Sequence, residues 1–303
     1  MLACDEQAKG TAVKEIRIAH WNVNGRAGKN TGYDLSPLIT NEIVGKKSAS
    51  VPDIVVLTEF VAARNWKNVK STLEEKQYLV FTSSYEQGKN GVLIALKKNF
   101  VTDSTPSGKI KPMENEKPDF LQVKTMFNGI AIAIVGVRVR VRDSSSKDYD
   151  AKEDYKERKL QIDALNKHLQ EHLQDVENTI LVGDFNNSRI CGDENKSYKE
   201  VKEEYRGLDT YDTYNYHMLK EALSQHTIAT PEKGFSWVDK KEFKYKLDHL
   251  FTREGMKVLE CEYSRDFVIS ENGYEGLTKE NYKSDLSYPD HAILTATLEL
   301  PER

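Results

Sequence analysis

Nine short runs rich in valine, isoleucine and aromatic residues recur along the chain, and they constrain the fold more than any other feature. They are IRIAHWNV (16–23), DIVVLTEF (53–60), YLVFTSS (78–84), GVLIALKK (91–98), FLQVKTMF (120–127), IAIAIVGVRVRV (130–141), TILVGDF (179–185), KLDHLFT (246–252) and HAILTATLEL (291–300). Most have strand length, and such side chains favour pleated, half-buried surfaces. Between them, DYKERKLQIDALNKHLQEHLQ (154–174) sets Leu160, Leu165, Leu169 and Leu173 four or five residues apart with charged residues on the other face, an amphipathic helix. Residues 35–47 and 65–77 are weaker helical candidates. The order β-α-β-α-β-β-β-β-α-β, then two more strands, predicts an α/β fold of two packed sheets flanked by helices.

No repeat or linker divides the chain, so residues 1–14 read as a loose leader and 15–303 as one domain. The longest apolar run lies near 129–137, far short of the roughly 20 residues that cross a bilayer, and no span is expected. A net charge of -4 means that any polyanion must be held by a local basic patch. Cys4, Cys191 and Cys261 are too few and too scattered for a disulfide framework, and none forms a zinc-like pair. A reduced, cytoplasmic protein is expected, taken as a monomer. MLAC at the start faintly resembles the end of a lipoprotein signal, without the segments that should precede the cysteine.

Several apolar runs end at residues a pure core would not choose. Asn22 and Asn24 follow the first, Glu59 closes the second, and Arg138, Arg140 and Arg142 alternate in the sixth. Asp184 and Asn186 close the seventh, Asp248 sits in the eighth, and Asp290 and His291 open the ninth. Strand ends are where rigid scaffolds present reactive groups. Carboxylates and amides are hard oxygen ligands suited to magnesium, manganese or calcium. An imidazole with an aspartate partner supplies a base, and together these groups fit in-line attack of water on phosphorus.

In sequence order, these segments resemble the motifs of the endonuclease/exonuclease/phosphatase family, from about Ile16 to Leu300. HWNVNG (20–25) is similar to the first motif, VVLTEF (55–60) to the second, and VGDFNN (182–187) to the Gly-Asp-Phe-Asn signature. FSW (235–237) with KYKLDHLF (244–251), and YPDHAIL (288–294), resemble the last two. The resemblance implies a four-layer α/β/β/α sandwich, DNase I-like, with Mg2+ or Mn2+ as cofactor. It makes Glu59, Asp290 and Asn22 the metal-binding residues. Asp184 would orient or deprotonate water, Asn186 would bind the scissile phosphate, and Asp248 would partner His291 in proton transfer. Asn22, Asn24 and Arg138 would contact substrate phosphate.

Three departures stand out: Pro289 replaces the usual serine, Thr58 a common glutamine, and Arg138 a Tyr or His. Arginine clamps a phosphate but shuttles no protons. On a continuous strand Arg138, Arg140 and Arg142 would share one face, either solvated or phosphate-binding. His20, His168, His172, His217, His226 and His249 read as structural or surface groups, with His249 facing away from Asp248. Asn187 is the least expected to matter, and Phe185 turns to the core. Trp66 among Arg64, Lys67 and Lys70 reads first as a helix-packing residue and second as a base-stacking one, and 205–218 as a substrate-shaping loop.

The expected activity is metal-dependent phosphodiester hydrolysis, with nucleic acid as the leading substrate. A phosphatase or phosphodiesterase acting on a small phosphorylated molecule or lipid headgroup is the alternative, and a non-catalytic binding module the third.

Overall fold

The computed structural model describes residues 15–24, 36–45, 51–61, 66–83, 90–98, 119–142, 146–190, 199–200, 212–238, 242, 244–253, 255–265 and 289–301. The leader at 1–14, the segment 205–211 and the Trp66 side chain lie outside them. The strands are β1 (Glu15–Asn22), β2 (Ile54–Phe60), β3 (Tyr78–Thr82), β4 (Gly91–Lys97), β5 (Asp119–Phe127), β6 (Ile130–Arg138), β7 (Asn178–Ile190), β8 (His226–Ala229), β9 (Trp237–Val238), β10 (Lys244–Arg253), β11 (Lys257–Ser264) and β12 (Ile293–Glu299). The helices are α1 (Ser36–Val44), α2 (Trp66–Glu75), α3 (Ala151–His172) and α4 (Asp212–Ala222). One sheet runs β11-β12-β1-β2-β4-β3 and the other β5-β6-β7-β10-β8, with β9 on β10. Both are mixed, since β1–β2 and β6–β7 pair parallel and the other neighbours antiparallel.

Alternation along the strands builds the layers. Ile16 and Ile18 of β1, Ile54 and Val56 of β2 and Ile94 of β4 meet Ile132 and Ile134 of β6, Ile180 and Val182 of β7 and Leu250 of β10 between the sheets. The intervening residues face outward. Trp21, Val55 and Leu57 pack with Ile39 and Ile43 of α1 and Val69 and Leu73 of α2. Val135, Leu181, Phe185 and Phe251 pack with Ile162, Leu165 and Leu169 of α3 and Leu219 of α4. Each such side chain contributes roughly 1.5–3 kcal/mol on burial, and their alternation holds together the four-layer α/β/β/α sandwich that the resemblance implies. No helix among the described residues is long and apolar enough to cross a membrane.

Five elements depart from the sequence reading, two of them the short strands β8 and β9, which lie outside the nine runs. Strand β6 stops at Arg138, because the backbone beyond it bonds to α3: Arg140 N donates to Gln161 Oε1 (2.8 Å) and Arg142 N to Asp154 Oδ1 (2.7 Å). The alternation fails there, with Val139 buried and Val141 exposed. Residues 257–264, which were not among the nine runs, form the edge strand β11, partly exposed and rich in glutamate. Residues 212–218 of the expected loop belong to α4.

His249 faces the α3/α4 side, as alternation requires, packing on Phe185, Tyr216 and Phe251. Its Nε2 donates to Asn187 O (2.8 Å) and its Nδ1 accepts from Thr230 Oγ1 (2.9 Å), the pattern of a neutral ring. Burial pushes its pKa down to about 4. An unfolded chain titrates this group near 6.5, so the unfolded state takes up the proton first as pH falls. This contribution to stability is complete above pH 6.5 and lost between there and 4. At pH 5 it costs about 2 kcal/mol. Urea unfolding at pH 7 and pH 5 should show wild type losing about 2 kcal/mol more than His249→Gln, and equal losses would refute this.

Candidate active site

At one end the inter-sheet core turns polar without changing face. His20 and Asn22 continue the register of Ile16 and Ile18, Asp184 continues that of Ile180 and Val182, and Asp248 lies two residues before Leu250. Strand pairing then sets Arg138 opposite Asp184, and Asp184 opposite Asp248, in one row across β6, β7 and β10. Register shifts fall between Leu57 and Phe60 and between Lys246 and Asp248. Irregularities of this kind re-aim side chains beside sites. Glu59 lies in the first, with φ 51°, and Asn24 and Asn186 both have φ 47°. Asparagine tolerates this region, whereas glutamate is held there at a cost of roughly 1 kcal/mol.

Asn22 is the hub. Its Nδ2 donates to Asp184 Oδ2 (2.8 Å) and Glu59 Oε1 (3.3 Å), and its Oδ1 accepts from Asn24 N (2.9 Å). Asn24 Nδ2 reaches Asp290 Oδ1 (3.1 Å), whose Oδ2 accepts from Trp237 Nε1 (3.1 Å). Asn186 bonds Asp184 through both its backbone N (2.9 Å) and its Nδ2 (2.9 Å). Arg158 of α3, ion-paired with Asp154, donates to Asn186 O and braces this turn. Six of the expected site residues, Asn22, Asn24, Glu59, Asp184, Asn186 and Asp290, therefore meet in one hydrogen-bonded network.

Asp248 is fully buried between two imidazoles, His291 Nδ1 on Oδ2 (2.8 Å) and His20 Nε2 on Oδ1 (2.8 Å). Burial alone would raise its pKa, but these rings hold the carboxyl far below the usual carboxylate range. His291 loses stability as a cation through burial, and the Asp248 carboxylate more than restores it, to about 10. Burial lifts Asp184 to about 6, with Asp248 and Glu59 adding to the rise and His291 and Arg138 opposing it. His20, expected to be a structural or surface group, is fully buried in this cleft, on the face that period two from Asn22 gives it.

Arg138 is more engaged than a bare phosphate clamp would be. Its Nε donates to Glu59 Oε1 (2.9 Å) and its Nη1 to Asp119 Oδ2 (3.0 Å), while Asn90 Nδ2 donates to Glu59 Oε2 (3.0 Å). Asp119 and Asn90 were not anticipated. Arg140 lies 3.8 Å from Asp119 and Arg142 pairs with Glu157 at 2.5 Å, so neither belongs to an open basic face.

The donors are carboxylates, amides and one imidazole, a set that fits a hard divalent ion. Ligand atoms of Asp184, Asp248 and His291 lie within 4.8 Å of one another. Burial raises Asp184 more than any neighbouring charge does, so its carboxylate gains from a cationic partner.

Residues 19–285 match the family model for the Endonuclease/Exonuclease/phosphatase family. The chain belongs to that family. Members of the endonuclease/exonuclease/phosphatase family are divalent-metal-dependent hydrolases of phosphoester bonds. Among solved structures the chain is similar to a D. rerio TDP2 humanized by 14 mutations (17% identity, TM-score 0.60, covering 94% of this chain and 99% of that one). It is also similar to the 3'-5' exonuclease NExo from Neisseria meningitidis (17%, 0.59, 95% and 100%). The beta toxin of Staphylococcus aureus resembles it as well (13%, 0.60, 93% and 99%). These likenesses establish the DNase I-like family fold. No curated protein sequence matches significantly.

Proposed function

We propose that the chain is a metal-dependent phosphodiesterase that cleaves nucleic acid by in-line attack of water. The observation that carries this reading is the row of Asp184 and Asp248 between Asn22, Asn186 and His291, assembled from both sheets. A magnesium or manganese ion held by Glu59, Asp290 and the Asn22 carbonyl would stabilise charge on the phosphoryl oxygens. Asp184, fixed by three donor bonds and more basic than an ordinary aspartate, orients the water and accepts its proton. Asn24, with one amide N–H bonded to Asp290, offers the other to the phosphate. Asn186 spends both of its own on Val139 O and Asp184 Oδ2 and so holds Asp184 in place, and the outer guanidinium nitrogen of Arg138 adds positive charge. With Nδ1 on Asp248, His291 presents Nε2 to the leaving oxygen and protonates it.

Polymer substrates are favoured because two structural neighbours hold DNA products: D. rerio TDP2 is complexed with a single-strand DNA product and NExo from Neisseria with a product DNA hairpin. The internal pairing of Arg138, Arg140 and Arg142 favours a second reading, a phosphatase acting on a small phosphorylated molecule.

The test is incubation with Mg2+ and plasmid DNA, single-stranded DNA, RNA, inositol phosphates and bis-p-nitrophenyl phosphate, with wild type and Glu59→Ala. Cleavage of a nucleic acid, weakening as salt rises and reduced about 100-fold or more in the variant, is expected. Cleavage of small phosphomonoesters alone selects the second reading. No cleavage, together with no heat of metal binding by calorimetry, refutes both.

A further inference from the structure

One buried group in the cleft has no part in the chemistry above. His20 is fully buried, with Nδ1 3.2 Å from Val56 O on the neighbouring strand and Nε2 2.8 Å from Asp248 Oδ1 on the opposite sheet. The Asp248 carboxylate can only accept, so the ring donates to it from Nε2, while Nδ1 lies against the Val56 carbonyl. A group that merely filled this place would be apolar, because burying an imidazole is costly unless its bonds are made. The hydrogen bonds of Asp248 explain what those bonds achieve. Its Oδ2 receives His291 Nδ1 (2.8 Å), its backbone N donates to Ser236 Oγ (3.3 Å), and its carbonyl accepts from Tyr263 Oη (2.6 Å). Only Oδ1 would lack a donor without His20. The terminal torsion of an aspartate is soft, so a carboxylate held on one oxygen can turn.

We infer that His20 is a positioning residue, which locks the Asp248 carboxylate across the two sheets and through it fixes the ring of His291. The catalytic consequence rests on the phosphodiesterase reading, whereas the lock itself does not. Three groups in line, two imidazoles sharing one carboxylate, leave His291 with a single orientation in which to deliver its proton.

Two variants test the lock. His20→Leu keeps volume and removes the Nε2 donor, and His20→Gln keeps a side-chain N–H within reach of Oδ1. Each is assayed on bis-p-nitrophenyl phosphate with Mn2+, unfolded thermally, and examined by proton NMR for the His291 Nδ1–H resonance, assigned by its absence in His291→Ala. His20→Leu should lower kcat about 10- to 100-fold with KM little changed, and His20→Gln should recover much of the loss. The His291 resonance should shift or broaden in the leucine variant and persist in the glutamine one. An unchanged resonance, or kcat falling only in proportion to the unfolded fraction, overturns the proposal. Should wild type hydrolyse no phosphoester, the proposed function falls while the resonance still decides the lock.

Discussion

Replacing His291 with alanine is expected to lower turnover of a phosphodiester about 1000-fold while the protein stays folded. Proton transfer by a positioned side chain contributes roughly 10²–10⁴-fold, and His291 is the one imidazole in the cleft whose Nε2 is not already committed to a buried oxygen. Fold retention follows from the bonding. The contact that ties this segment to β1 runs from Trp21 Nε1 to the His291 backbone carbonyl (2.8 Å), which alanine preserves. Asp248 keeps its bond to His20, so no buried carboxylate is stranded. The measurement is kcat on bis-p-nitrophenyl phosphate beside a thermal melt. A loss below tenfold, with the melt unchanged, would remove His291 from the proton-transfer role.

The second large effect is structural. Gly183→Ala should destabilise the protein by about 3 kcal/mol or more and lower Tm by about 10 °C. A Cβ there would lie 1.8 Å from Val137 O and 2.7 Å from Val137 C, inside the backbone of the adjacent parallel strand. Backbone cannot yield as a side-chain tip can. Parting β6 from β7 at this point would also pull Arg138 away from Asp184, its partner in register, so activity should fall with stability. Gly129→Ala is the control. That residue has φ +80° with nothing within 4 Å, so only backbone strain of roughly 1–2 kcal/mol applies. Equal melting shifts for the two variants would refute the steric account.

Much of this was legible because it is local. Asn22, Glu59, Asp184, Asn186, Asp248, Asp290 and His291 each mark a break in an apolar run, and the structure gathers all of them at one end of the sandwich. What escaped depends on pairing distant in sequence. Asp119 opens an ordinary-looking run, and only its position opposite Arg138 makes it a counter-ion. Arg138 in turn was legible as an unusual cation, but not as one bound to Glu59. His20 was passed over because it was judged as a lone histidine and not by the face it shares with Asn22. Strand β11 hid because an edge strand partly exposed to water needs little apolar sequence, and α4 because tyrosines and polar residues surround its buried Leu219.

The seam between the sheets has a consequence for how the protein is made. His20, Asn22 and Glu59 come from the first strands to be synthesised, while Asp248 and His291 come from nearly the last. A chain synthesised only as far as its early strands has Asn22 and Glu59 but neither Asp248 nor His291. On the proposed roles, a chain that ends before β10 would lack both Asp248 and His291, and hydrolysis would require β10 and β12 to have paired with their neighbours.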